Sequence, residues 1–161
     1  MTHPVPFTVR TASTVDAPIL VEARRHMYED MGETNVGSLD QADEMFSSWL
    51  AERLVGRSVV GYVAEAAQGE WLGALTAHAT DVQPSLGNPS ARQHYLFGLW
   101  VRPQERRNGV ATALIAAAVE GAKADRAGLI SLNATDAGRL VYERMGFEQN
   151  TSMRMFLDPL P

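Results

Sequence analysis

One stretch constrains this chain more than any other: an apolar run from Tyr95 to Val101, Pro103, the turn Arg106-Arg107-Asn108-Gly109-Val110-Ala111, and an alanine-rich helical pattern from Thr112 to Ala127. A strand that enters a helix through a turn of small residues leaves the first backbone N–H groups of the helix without helical acceptors. Those donors, with the positive end of the helix dipole, suit a phosphate or pyrophosphate. Gly109 and Ala111 let an anion approach the backbone, and Arg106 and Arg107 add positive charge. The stretch predicts an anion cradle between a strand and a helix.

Other phosphate loops are excluded by inspection. No Gly-x-x-x-x-Gly-Lys-Ser/Thr and no Gly-x-Gly-x-x-Gly occurs, so nucleotide hydrolysis and dinucleotide binding lack their usual marks. Gly-x-Ser-x-Gly and His-Glu-x-x-His are missing too.

The remaining pattern alternates strands and helices. Phe7, Val9 and Thr11 alternate with polar neighbours, so residues 6–12 read as a strand. Thr14 or Asp16 caps a helix with Pro18 in its first turn, and Ile19, Ala23, Met27 and Met31 form its apolar stripe up to Gly32. Ser38 to Gln41 has the form of a capping box opening a second helix to about Val55, with Met45, Phe46, Trp49, Leu50 and Leu54 inward. Strands at 58–66 and 70–79 form a hairpin through Ala67, Gln68 and Gly69. A loop at 81–92 precedes the strand at 93–101. The helix at 109–127 buries Leu114, Ile115, Ala118, Val119 and Ala122 and is capped by Gly128. A fifth strand over 129–134, a short helix over 136–145 and one or two strands over 147–157 complete one α/β domain spanning 1–161.

Beyond the helix, the run from Thr135 through Tyr142 and Glu143 to Gly146 and Phe147 adds a second motif. Arg106, Gly109 and Ala111 fill Arg/Gln-x-x-Gly-x-Gly/Ala, with Val101 and Pro103 upstream as a Val-x-Pro. In that order the two motifs resemble those of the GNAT superfamily of acetyl-CoA-dependent N-acetyltransferases, over roughly residues 93–157. The resemblance implies a central mixed, mostly antiparallel sheet of six to seven strands with about four helices. It also implies a V-shaped splay between the fourth and fifth strands, where the thioester lies. The segment around His26 to Gly32 is similar to one common in bacterial acetyltransferases. A homodimer is a further expectation from the family.

The resemblance also implies roles. Backbone groups from Arg107 to Thr112 (Arg107, Asn108, Gly109, Val110, Ala111, Thr112) would hold the pyrophosphate of acetyl-CoA, with the Thr112 hydroxyl as an added contact. Leu99, Trp100 and Val101 would pair with the pantetheine arm, and an N–H there would polarise the thioester carbonyl. Tyr142 fills the position of the general acid that protonates the leaving thiolate. Where many members carry Asn seven residues before that tyrosine, this chain has Thr135, which makes one hydrogen bond but not the two-sided pattern of an amide; Asn133 is close by. The expected strand at 93–101 contains no carboxylate, so His94 or His78 is the candidate general base, or none exists. Tyr28 and Glu33, near the end of the first helix, are candidates to line the acceptor pocket.

Composition bounds the partners. Hydrophobic residues are 45% and charged residues 20%, an ordinary globular balance, and no apolar run approaches a membrane span. The absence of cysteine excludes disulfides and a cysteine nucleophile and argues against structural zinc, so no metal is expected. Net charge is −5 with scattered basic residues, which argues against nucleic acid. Thirteen of the 14 basic residues are arginine, with Lys123 the only lysine, which reflects a GC-rich genome rather than function. Residues 1–4 show neither a basic nor an apolar leader, so the expected location is cytoplasmic. The function expected is transfer of acetyl from acetyl-CoA to a primary amine of a small molecule. Acetylation of a protein N-terminus or lysine, and a non-catalytic acyl-CoA-binding module, are the alternatives.

Overall fold

Phe7 and Val9 place one face of a first strand, β1 (Phe7–Thr11), against the core, and its register sets the sheet that follows. The computed structural model describes residues 5–157; the tetrapeptide on which the leader was judged lies outside them. In chain order come β1, α1 (Ala17–Asp30), α2 (Val36–Val55), β2 (Val59–Ala66), β3 (Trp71–Asp81), β4 (Arg92–Val101), α3 (Val110–Ala124), β5 (Leu129–Leu132) and α4 (Arg139–Arg144). The sheet runs β1-β2-β3-β4-β5; every pair is antiparallel except β4 with β5, which are parallel.

Two apolar layers cover the sheet. Leu114, Ile115 and Ala118 of α3 pack with Leu72, Leu75 and Leu96 on one face. Leu20 and Ala23 of α1 pack with Phe46 and Leu50 of α2 on the other. Burial of such aliphatic and aromatic side chains contributes about 1.5–3 kcal/mol each. The chain enters α1 through a built corner: Asp16, buried, accepts from Arg10 at 2.8 and 2.9 Å and from the Ser13 backbone at 2.7 Å. Those hydrogen bonds hold the Asp16 carboxyl well below the usual carboxylate range.

Several expectations need correction. Met31 is 59% exposed and Met45 65%, so neither is core; Ala23 of the expected stripe is buried, and Leu20 joins it on the inward face of α1. The second helix starts earlier than Ser38, because Asn35 caps it by accepting from the Ser38 amide at 3.0 Å. α3 ends at Ala124 with Asp125 as its cap, and the Gly128 amide instead donates to the Arg92 carbonyl at 3.0 Å. Among the described residues the sheet has five strands rather than six or seven. Residues 147–157 form no strand, since β5 offers an edge of only four residues.

Candidate active site

The parallel pairing of β4 and β5 stops at Leu96 opposite Leu132, while β4 continues to Val101. Beyond Leu96 one edge of β4 is therefore open, and the two strands part. On the other edge, Trp100 pairs with Ala74 but Phe97 pairs with Thr76, so β4 carries one extra residue there. Gly98, at φ +66°, makes this bulge, because a side chain rarely tolerates that conformation. The bulge re-aims Leu99 and Trp100. A cleft of about 610 Å³ opens at this point, lined by Met27, Asp30 and Met31 of α1, Leu99 and Trp100 of β4, and Arg106, Thr135 and Ala137.

At the end of β4 the chain turns through residues 103–109 into α3. Gly109 is the N-cap, at φ +82°, and Arg107 also has positive φ, +64°. The Ala113 amide is the first to find a helical acceptor, the Gly109 carbonyl at 2.9 Å. Among the described residues no hydrogen bond takes up the backbone N–H groups of Arg107, Asn108, Gly109, Val110, Ala111 or Thr112. A side chain at Gly109 would meet nothing within 4 Å, so the loop is open on that side. Six free N–H groups at the positive end of a helix are a strong anion site.

Arg106 behaves differently from its sequence reading. Its Nε donates to the Val101 carbonyl at 2.9 Å, and another guanidinium nitrogen donates to Asp30 at 2.6 Å. The Trp100 indole N–H donates to the same Asp30 oxygen at 3.0 Å, and His26 stacks on Trp100 at 4.5 Å. The charge of Arg106 is thus paired, and the residue fastens the loop to β4 and α1. Arg107 is exposed with no carboxylate partner among the described residues.

Tyr142, in α4, packs edge-on to Phe147 at 5.6 Å beside Val141 and Met145. Burial, with a smaller push from Tyr95, raises its phenol to about 12. Asn133 lies past the end of β5, so strand alternation does not orient it; its amide donates to the Tyr95 hydroxyl at 3.0 Å. Thr135 lines the cleft, and its hydroxyl accepts from the Gly138 amide at 3.2 Å ahead of α4.

The two histidines lie apart. His94 is 2% exposed, and its Nε2 lies 2.8 Å from Asp125 at the end of α3. Neither it nor His78 lines the cleft. His78 stands within β3, in register with Tyr95, and meets the Trp49 ring edge-on at 5.1 Å. Burial, then Arg53 and Arg92, push its pKa down from 6.5, leaving it neutral and able to accept a proton. Tyr28 and Glu33 are both occupied within the chain. The Tyr28 hydroxyl accepts from Arg24 at 2.9 Å, and Glu33 accepts from the Asn35 amide at 2.7 Å.

Sequence reasoning missed the Gly98 bulge, the Asp30 anchor, and Met27 and Met31 as cleft lining. A glycine inside a strand pattern is a known bulge signal and could have found the first. The second pairs residues far apart in the chain and left no local mark.

The family model of the acetyltransferase (GNAT) family matches residues 21–147. The fold is similar to that of a GCN5-related N-acetyltransferase from Ralstonia eutropha JMP134, with TM-score 0.87 and 25% identity over 94% of this chain and 99% of that one. It is also similar to a predicted acetyltransferase with acetyl-CoA from Clostridium acetobutylicum, with TM-score 0.82 and 27% identity over 95% and 96%. An aminoglycoside N-acetyltransferase, AAC(6')-Iy, in complex with CoA shares the fold at TM-score 0.73 and 18% identity, over 99% of each chain. No curated protein matches the sequence.

Proposed function

This chain belongs to the acetyltransferase (GNAT) family, and from that premise we propose that it transfers acetyl from acetyl-CoA to a primary amine of a small molecule. The observation that carries the reading is the open edge of β4 running into six unpaired backbone N–H groups, with Tyr142 in the helix that follows β5. The N–H groups from Arg107 to Thr112 hold the pyrophosphate. The edge at Leu99 to Val101, on which Arg106 takes the Val101 carbonyl, pairs with pantetheine, and one of its N–H groups polarises the thioester carbonyl.

The reaction is direct attack with both substrates bound. The amine nitrogen forms a bond to the carbonyl carbon, the C–S bond breaks, and the amine's surplus proton leaves to His78 through water or to solvent. The thiolate collects a proton with Tyr142 as donor. Transfer from a phenol at about 12 to a thiolate near 8.5 runs uphill, so the hydrogen bond from Tyr142 carries most of its effect. Of the two histidines, His78 suits the base, because His94 is buried against Asp125.

Thiol release from acetyl-CoA across a panel of amines and short peptides tests the activity, and a chain without cysteine gives no background with a thiol-reactive dye. Release dependent on small amines supports the proposal. Release with peptides alone favours protein acetylation, and acetyl-CoA binding without release favours a regulatory module. The pH profile then tests the base. A protonated His78 cannot accept a proton, so kcat/KM rises with pH through a midpoint below 6.5, and His78→Asn removes that limb. An unchanged limb in the variant assigns the proton to solvent.

A further inference from the structure

We propose that the amine acetylated by this protein carries an anionic group, a carboxylate or phosphate, and that Arg24, supported by Arg53, receives it. The proposal rests on the acetyltransfer reading above and names its substrate class. Six arginines are half-buried: Arg10, Arg24, Arg25, Arg53, Arg92 and Arg102. Four of them, Arg10, Arg25, Arg92 and Arg102, hold a carboxylate at 2.9 Å or closer. Arg24 and Arg53 hold none among the described residues. Acids are not in short supply, since the chain has 19 against 14 basic residues. A cation drawn partly out of water ordinarily finds a counter-ion, so the two exceptions call for one from outside.

Both exceptions stack on one aromatic cluster, in which Phe46 and Trp49 lie 5.9 Å apart and both meet Phe97. Arg24 rises from α1 beside the β4 bulge: a Cβ built on Gly98 would lie 3.8 Å from that of Arg24. Its guanidinium lies 4.5 Å from the Phe46 ring centre and 5.1 Å from that of Tyr28. Arg53 stacks on Trp49 at 4.5 Å and donates to the Trp49 carbonyl at 2.9 Å. Stacking holds the faces of a guanidinium and leaves its edge of N–H donors in plane, the geometry that pairs with a carboxylate or phosphate. Of Arg24's five N–H groups, one is committed, to the Tyr28 hydroxyl at 2.9 Å. The Gly98 bulge adjoins Leu99, the start of the edge on which the thioester carbonyl is polarised in the proposed mechanism. An acceptor with its anion on Arg24 would therefore present its amine within reach of that carbon.

Matched pairs of acceptors test this: L-amino acids against their amides, and aminoalkyl phosphates against the corresponding amino alcohols. Two readouts are taken, kcat/KM by thiol release and calorimetric binding to the complex with CoA. The expected result is that the anionic member of one series wins by about thirtyfold, as charged hydrogen bonds allow. Arg24→Gln brings the ratio close to one, and Arg24→Lys leaves it in between, because a lysine keeps the charge and loses the fork. Which series responds separates carboxylate from phosphate. If the variants do not fold by thermal melting, the wild-type ratios decide alone. Equal or better use of the neutral members, in turnover and binding, overturns the proposal. Anion preference in binding with no turnover on any amine would instead retain the Arg24 site and reject acetyltransfer.

Discussion

Tyr142→Phe lowers kcat by about tenfold or more while the affinity for acetyl-CoA stays nearly constant. The phenol packs on Phe147 and beside Val141 through its ring, which phenylalanine keeps. Only the hydroxyl is lost, so the fold and the proposed pyrophosphate cradle at 107–112 are left intact. A proton donor that acts on the leaving thiolate contributes in the transition state and not to binding, so its loss falls on kcat. Because the phenol stands at about 12, the wild-type rate also shows no falling limb from its ionisation below about pH 10. Steady-state kinetics and calorimetry check both points. Equal kcat in the two proteins would remove Tyr142 from the mechanism.

Gly109→Val weakens acetyl-CoA binding by about a hundredfold, the second large effect. At φ +82° a β-branched residue costs about 1–3 kcal/mol, and the loop relieves that by turning. Turning redirects N–H groups that in the proposed binding mode all point at one pyrophosphate, each worth about 1.5–3 kcal/mol toward a charged partner. The control is Gly69→Val in the β2–β3 turn, where φ is +85°. That variant carries similar strain away from the cradle, so it lowers thermal stability without changing acetyl-CoA affinity. Calorimetric titration of both variants separates the cases. Similar losses of affinity in the two would mean that general destabilisation, not the cradle, explains the effect.

Much of this architecture was legible along the chain. Alternating Phe7 and Val9, the turn at Gly69 and the small-residue turn before Val110 are local signals, and β1, the β2–β3 hairpin, β4 and α3 stand within a few residues of expectation. The stripe of α1 was misplaced because Met27 and Met31 have the spacing of core residues, while their surroundings make them cleft lining. The closing strands were overcalled for the opposite reason. Met153 and Met155 alternate as a strand should, yet strands form only against a partner edge, and that of β5 is short.

The candidate site divides along the same line. Backbone chemistry at 106–112 could be read from sequence because a free helix N-terminus and a positive-φ glycine depend on neighbours in the chain. Side-chain commitments could not. His94 and His78 look alike as single residues, and only the strand that each occupies sends one to Asp125 and the other toward Trp49 and Tyr95. Arg106 reads as a phosphate ligand until Asp30, 76 positions away, takes its guanidinium. Arg24 reads as a solvated helix charge until Phe46 and the β4 bulge close around it. Hydrogen-bonding patterns and turn conformations act over a few residues, so the local sequence determines them by itself. Which charge meets which, and which cation is left without a partner, is decided by distances through space that exist only once α1, α2 and β4 have packed.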